Sequence, residues 1–161
     1  MGNAIRRDDR WTPIARCVID LYRTSGILLL PSSAQADSTY RLAVGPTVRA
    51  GSATQGIYYA ANIAAAPAGG NTVTVNFLLP ALSVDIRISE YRGIATSNPV
   101  DVTAAATGNS TFSNSGAVTT ANANDLLVGA NTVATRTTGA GAGYTSRIIT
   151  TRAGRFSKIR S

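Results

Sequence analysis

Four carboxylates stand in the central part of the chain, Asp85, Glu90, Asp101 and Asp125, and they are its candidates for acid–base chemistry. The sequence contains no histidine. That removes the commonest general base and metal ligand, and with it Ser-His-Asp and Cys-His activation of a nucleophile. What remains is a carboxylate pair of the glycosidase kind, in which one acid protonates the leaving oxygen and the other attacks or activates water. Asp85 and Glu90 do not fit that role together. On one extended strand they lie roughly 16 Å apart at the usual rise and face opposite sides. Glu90 with Asp101 or Asp125 would need separate strands to converge, and the plainer reading makes each a turn or strand-end residue.

Two other constellations carry some chemistry. Asp101 and Asp125 sit in Asn98-Pro-Val-Asp and Asn122-Ala-Asn-Asp contexts, where side-chain oxygens cluster as around Ca²⁺. Asn and Asp are also ordinary turn formers, and turns are the reading preferred here. Tyr58, Tyr59 and Tyr91 suggest a sugar-stacking platform. Tyr58 and Tyr59 are neighbours and point to opposite faces of a strand, so at most one shares a face with Tyr91, and core packing is the expected role. Cys17 is the single cysteine, so neither an intrachain disulfide nor a cysteine-based metal site can form. The expectation is therefore no catalytic, metal or cofactor residues, and a ligand-binding set that is unknown.

The charge has a specific address. Of the net +7, residues 1–37 contribute five Arg against four Asp, and residues 38–135 balance Arg41, Arg49, Arg87 and Arg92 against the four carboxylates above. Arg136, Arg147, Arg152, Arg155, Lys158 and Arg160 supply the remaining +6 with no acid among them. A nucleic-acid surface would spread cations over the fold and interleave aromatics; here they form a basic end, and no specific nucleic-acid partner is expected.

The elements that would hold these residues read as strands. At 161 residues with 6% aromatic and 14% charged side chains, the chain fits one domain of small, Gly- and Thr-rich β type. From Thr39 onward, short β-prone runs alternate with Gly, Pro and Asn clusters. Strands are predicted at Thr39 to Val44, ended by Gly45-Pro46, then at Gly56 to Asn62, Thr72 to Phe77 and Val84 to Tyr91. A loop fills 64–71. On the Val84 strand, Val84, Ile86 and Ile88 form one face, with Glu90 falling on it, and Asp85, Arg87, Ser89 and Tyr91 form the other. Residues 95–124 predict one weak strand and long loops, and Asp125 to Val133 and Tyr144 to Thr151 two more strands. The Gly-rich stretch 137–143 lacks the Lys-Ser/Thr of a phosphate cradle.

Residues 1–37 show no period of two. Residues 14–23 are compatible with a short helix bearing Ile14, Val18, Leu21 and Tyr22 on one side. Arg6, Arg7 and Arg10 before the apolar Ile27 to Leu30, with Ala34-Gln35-Ala36 following, form only a weak signal peptide. No apolar run approaches the length of a membrane-spanning helix.

The run Tyr40-Arg-Leu-Ala-Val-Gly-Pro-Thr is followed in order by Ile57-Tyr-Tyr-Ala-Ala-Asn-Ile, Asn71-Thr-Val-Thr-Val-Asn-Phe and Asp85-Ile-Arg-Ile-Ser-Glu-Tyr-Arg-Gly. Asn98-Pro-Val-Asp-Val-Thr-Ala-Ala, Asn122-Ala-Asn-Asp-Leu-Leu-Val-Gly and Gly143-Tyr-Thr-Ser-Arg-Ile-Ile-Thr complete the series. Together these blocks resemble a β-sandwich module of large secreted and surface proteins of soil-type bacteria, often set beside immunoglobulin-like, fibronectin-like or propeller repeats. The resemblance spans about residues 38–152. It implies an extracellular or cell-surface, non-enzymatic module, and it carries over no catalytic or binding residue. Members of that family have further strands before the Tyr40 strand. After the Ser-Arg-Ile-Ile-Thr strand they continue with a segment like Asp-Gly-Asp-Ile-Leu-Glu-Asp-Arg and two more strands. Codons for Ile-Leu-Glu-Asp, read one nucleotide out of frame, can give Phe-Ser-Lys-Ile, which stands at 156–159.

The sequence thus predicts an all-β chain: an antiparallel β-sandwich, jelly-roll or Ig-like, incomplete, over 38–152. An irregular or partly helical leader over 1–37 and a basic disordered tail over 153–161 flank it. The expected function is a non-catalytic structural or adhesive module whose partners are other β domains of a parent protein or a surface polysaccharide. The alternatives are a truncated or frameshifted gene remnant without independent function and a carbohydrate-binding module.

Overall fold

The computed structural model describes residues 39–64, 72–77 and 84–149 in full, and the backbone of the strands at 2–5, 15–23, 28–33 and 156–160. The described residues are all-β. Their strands are β1 (Gly2–Ile5), β2 (Ala15–Arg23), β3 (Leu28–Ser33), β4 (Arg41–Arg49), β5 (Ala53–Ile63), β6 (Val73–Phe77), β7 (Val84–Tyr91), β8 (Val100–Ala104), β9 (Leu126–Val133), β10 (Ser146–Ile149) and β11 (Phe156–Arg160). They pair antiparallel into a five-stranded sheet of order β10-β11-β9-β1-β8, a four-stranded sheet β4-β5-β2-β7 and a two-stranded β3-β6 ribbon.

The segment weighed as a short helix is instead β2, which lies between β5 and β7 and pairs with both along most of its length. Against the absence of a period of two expected over 1–37, its sequence fits two periods at once. Ile14, Val18 and Leu21 suit a helix, while Cys17, Ile19 and Leu21 alternate as a strand. A nine-residue segment is too short for its own period to decide, and two flanking strands with open hydrogen-bonding edges settle it. The leader is accordingly built into the sheets, with β1 beside β8 and β9 and β3 beside β6. In the basic tail, expected to be unstructured, Phe156 to Arg160 form a strand between β10 and β9, since Phe and Ile suit a pleated surface whatever the charge between them. Ala34 to Ala36, the loop residues 65–71 and Arg152 and Arg155 lie outside the described residues.

β4 and β5 form a hairpin closed by the Ser52 N–H donating to the Arg49 carbonyl at 3.0 Å. Gly45-Pro46, expected to end the first strand, does not end it. The strand runs on to Arg49 through a cis peptide at Gly45-Pro46 and two register shifts. Proline cannot donate to a ladder, so it is tolerated at such an irregularity on an edge strand. Gly45 adopts φ 113°, and a Cβ there would lie 2.8 Å from the Gln55 carbonyl oxygen. Only glycine fits that approach.

β5 is buried on both sides, because the alternation of a strand sends neighbours in opposite directions. Ile57 packs with Ile94 and with Leu126, Val128 and Ala130 of β9, joining the four-stranded sheet to the five-stranded one. Tyr58 packs the other way, with Tyr40, Ala60 and Ile63, and with Val73 and Val75 of the ribbon.

β7 turns its Arg87 face inward and its Ile86 and Ile88 face outward. Ile86 and Ile88 are 41% and 44% exposed, while Arg87 is 2% exposed. Register across β2 explains it: Ile57, Asp20 and Arg87 stand in one line, and Tyr58, Ile19 and Ile88 in the next. The face of β7 aligned with Ile57, which meets β9, is therefore the one carrying Arg87 and Tyr91. Glu90, on the other face, is exposed.

Burial raises the Tyr58 hydroxyl above its ordinary value of 10.0, because the phenolate would lose hydration. The folded chain thus holds this proton more tightly than the unfolded chain. The stability it contributes is complete below the unfolded value and is lost as pH rises through the folded one. The melting temperature is expected to fall as pH rises above about 10, and Tyr58→Phe is expected to flatten part of that fall. An identical slope in the variant would assign the decline to other groups.

Candidate functional site

The carboxylates are placed on separate structures. Asp85 lies on β7 with its Oδ2 accepting from Arg87 Nη2; the two side chains are 28% and 1% exposed. Glu90 points to the opposite side of the same strand, into solvent. Asp101 belongs to β8, in the other large sheet, and its Oδ2 accepts the Ala121 N–H at 2.6 Å. Asp125 directly precedes β9, with both carboxylate oxygens shielded from solvent. Asp101 therefore staples the approach to the 122–125 turn back onto β8, a long-range tether and not the local turn bond expected of it. Among the described residues no group of three or more His, Cys, Asp or Glu could hold a metal ion.

The tyrosines do not form a platform. Tyr58 is 4% exposed inside the Tyr40 and Ala60 cluster. Tyr91 is half-buried against the Ile57 and Val128 cluster, on the other side of the sheet. Tyr59 is half-buried, and strand alternation places it on the Ile57 side. Tyr58 and Tyr91 thus pack into separate clusters on opposite sides of the sheet.

Among the cations, Arg136 and Arg147 are exposed, and Lys158 and Arg160 fall in β11. The glycine-rich 137–143 stretch ends in a turn, with the Tyr144 N–H donating to the Gly141 carbonyl at 3.2 Å, and leads into β10. A phosphate cradle would lead into a helix N-terminus.

The connection from β8 to β9, residues 105–125, has no strand or helix, in keeping with the long loops expected over 95–124, but the sequence does not announce that it is tied down. Arg49, at the end of β4, donates through Nη1 to the Gly108 carbonyl at 3.0 Å and through Nη2 to Asn109 Oδ1. The Phe112 N–H donates to Ser110 Oγ at 3.1 Å, and the Gly116 N–H to Asn114 Oδ1 at 2.8 Å. With the Asp101 staple, the loop is held from two different strands. Between its bends stands Phe112, 83% exposed. The available signal was that Phe112 is the sole aromatic residue between Tyr91 and Tyr144, in a stretch where composition otherwise announces only loop.

No helix among the described residues is long and apolar enough to cross a membrane. Comparison with protein-family models, with curated proteins and with solved structures finds no match to this chain.

Proposed function

We propose that this chain is a non-catalytic structural or adhesive module of a secreted or cell-surface bacterial protein, with the four-stranded and five-stranded sheets as the two layers of a β-sandwich. The observation that carries this reading is where its chemistry-bearing side chains are used. Asp85 is bound to Arg87, Asp101 holds a loop and Tyr58 fills a core. Groups placed in this way build a scaffold. The Ile57 cluster, shared by β5 and β9, supports the layered arrangement, and functional variation in such scaffolds falls on their loops.

The competing reading is a gene remnant, favoured by the Phe-Ser-Lys-Ile stretch at 156–159. Sequencing several hundred nucleotides on both sides of the gene separates the two. A reading frame continuous with an export signal and further β-rich segments is the expected result. A frame break beside an Ile-Leu-Glu-Asp-like peptide in an alternative frame would replace the module by the remnant.

A further inference from the structure

The β8 to β9 loop combines length, anchorage and an exposed ring. Structureless connections beyond roughly 12 to 15 residues are mostly either functional or disordered, and residues 105–125 exceed that span. This one is fastened at Gly108 and Asn109 by Arg49 and at Ala121 by Asp101. It also exposes 83% of Phe112, the most exposed large hydrophobic residue among those described. The Ser110 and Asn114 bends flank that ring.

We propose that this loop is the contact surface of the adhesive module and that its ligand is an uncharged polysaccharide, with a sugar ring stacked on Phe112; the assignment rests on the adhesive reading above. The chemistry of the loop selects the ligand class. No Asp, Glu, Lys or Arg occurs between Val102 and Asn124. Single-stranded nucleic acid would stack on an aromatic ring but also needs a basic groove along its backbone. An anionic membrane surface calls for clustered cations. The nearby guanidinium, Arg49, is committed to the loop itself. A protein hot spot centres on Trp, Tyr or Arg in a pocket that excludes water, whereas the neighbours of Phe112 are small, polar and exposed. A neutral sugar ring offers a C–H face, which suits the negative face of a phenyl ring. Its hydroxyls both donate and accept, and Asn109, Thr111 and Ser113 carry uncharged groups able to do the same.

The test is retention of the full chain on insoluble cellulose, xylan and chitin, with phosphatidylcholine vesicles as a comparison surface. Wild type, Phe112→Ala and Phe112→Trp are measured at low and high salt. The expected result is binding to at least one of the three polymers that is insensitive to salt, is weakened about tenfold or more by Phe112→Ala and is kept by Phe112→Trp. Tenfold lies toward the low end of the loss on removing an aromatic ring from a stacked ligand ring. Melting temperatures should coincide across the set, because Phe112 is exposed. Failure of the wild type to bind any of the three polymers overturns the polysaccharide assignment, as does vesicle binding in its place. Equal polymer binding by Phe112→Ala overturns the loop assignment while the adhesive reading stands. The reading of the module itself fails by a different result, a broken gene frame.

Discussion

Ile57→Ala is expected to lower the stability of the chain by about 3 to 4 kcal/mol, within the range for truncating a fully buried aliphatic side chain. Ile57 has no solvent exposure and touches the group formed by Ile94, Leu126, Val128 and Ala130. Its loss removes apolar contact and leaves a cavity at the one described core where β5 meets β9. Backbone pairing of β5 with β2 and β4 fixes that position, so the site cannot collapse freely. Against a total stability of roughly 5 to 15 kcal/mol, the variant would stay folded at low temperature and lose much of its margin. Urea melts measure it, as a shift in midpoint with an unchanged slope. The same truncation at Ile86 or Ile88, both on the exposed face of β7, is expected to cost about 1 kcal/mol or less. Equal losses at Ile57 and Ile88 would mean that both faces of the sheet are covered to the same degree.

That contrast marks where sequence stopped determining structure. The alternation Val73-Thr-Val-Asn-Phe announces β6, where period two and β-branched content agree, and the short apolar run Leu126-Leu-Val-Gly-Ala announces β9. β7 was equally plain as a strand, but its inward face was not. An alternating strand has two faces whatever the fold, and which one meets another layer depends on strands distant in sequence. Here Asp20 of β2 carries the register from Ile57 to Arg87, so the charged face turns inward. β2 itself was missed because its residues satisfy two periods. Its identity comes from β5 and β7 on either side, a long-range condition that no local window contains. The carboxylates were legible as scattered, and Asp85 and Glu90 do face opposite ways. The loop bearing Phe112 has no period at all, and its order comes from Arg49 and Asp101 on other strands.

The inward turn of Arg87 predicts an asymmetry between the two partners of its ion pair. Asp85→Asn removes a negative charge from beside a guanidinium that is 1% exposed, and taking one charge partner from a buried cation is costly. Breaking such a pair from one side typically costs about 3 to 5 kcal/mol. Asp85 is 28% exposed, so solvent screens part of its interaction and the expected loss is nearer 2 to 3 kcal/mol. Roughly 5 to 10 °C in melting temperature is the corresponding change for a chain of this size. Arg87→Met removes the buried charge itself and puts a flexible apolar side chain beside the Ile57 layer. The Asp85 left behind reaches water, so this variant is expected to stay within about 1 kcal/mol of wild type, as when buried ion pairs are exchanged for hydrophobic side chains. Thermal melts of the two variants and the double variant close the cycle. If Arg87→Met proved the more damaging of the two, the guanidinium would be a net source of stability, and its burial would be explained by what it binds instead of by the face on which it was forced to lie.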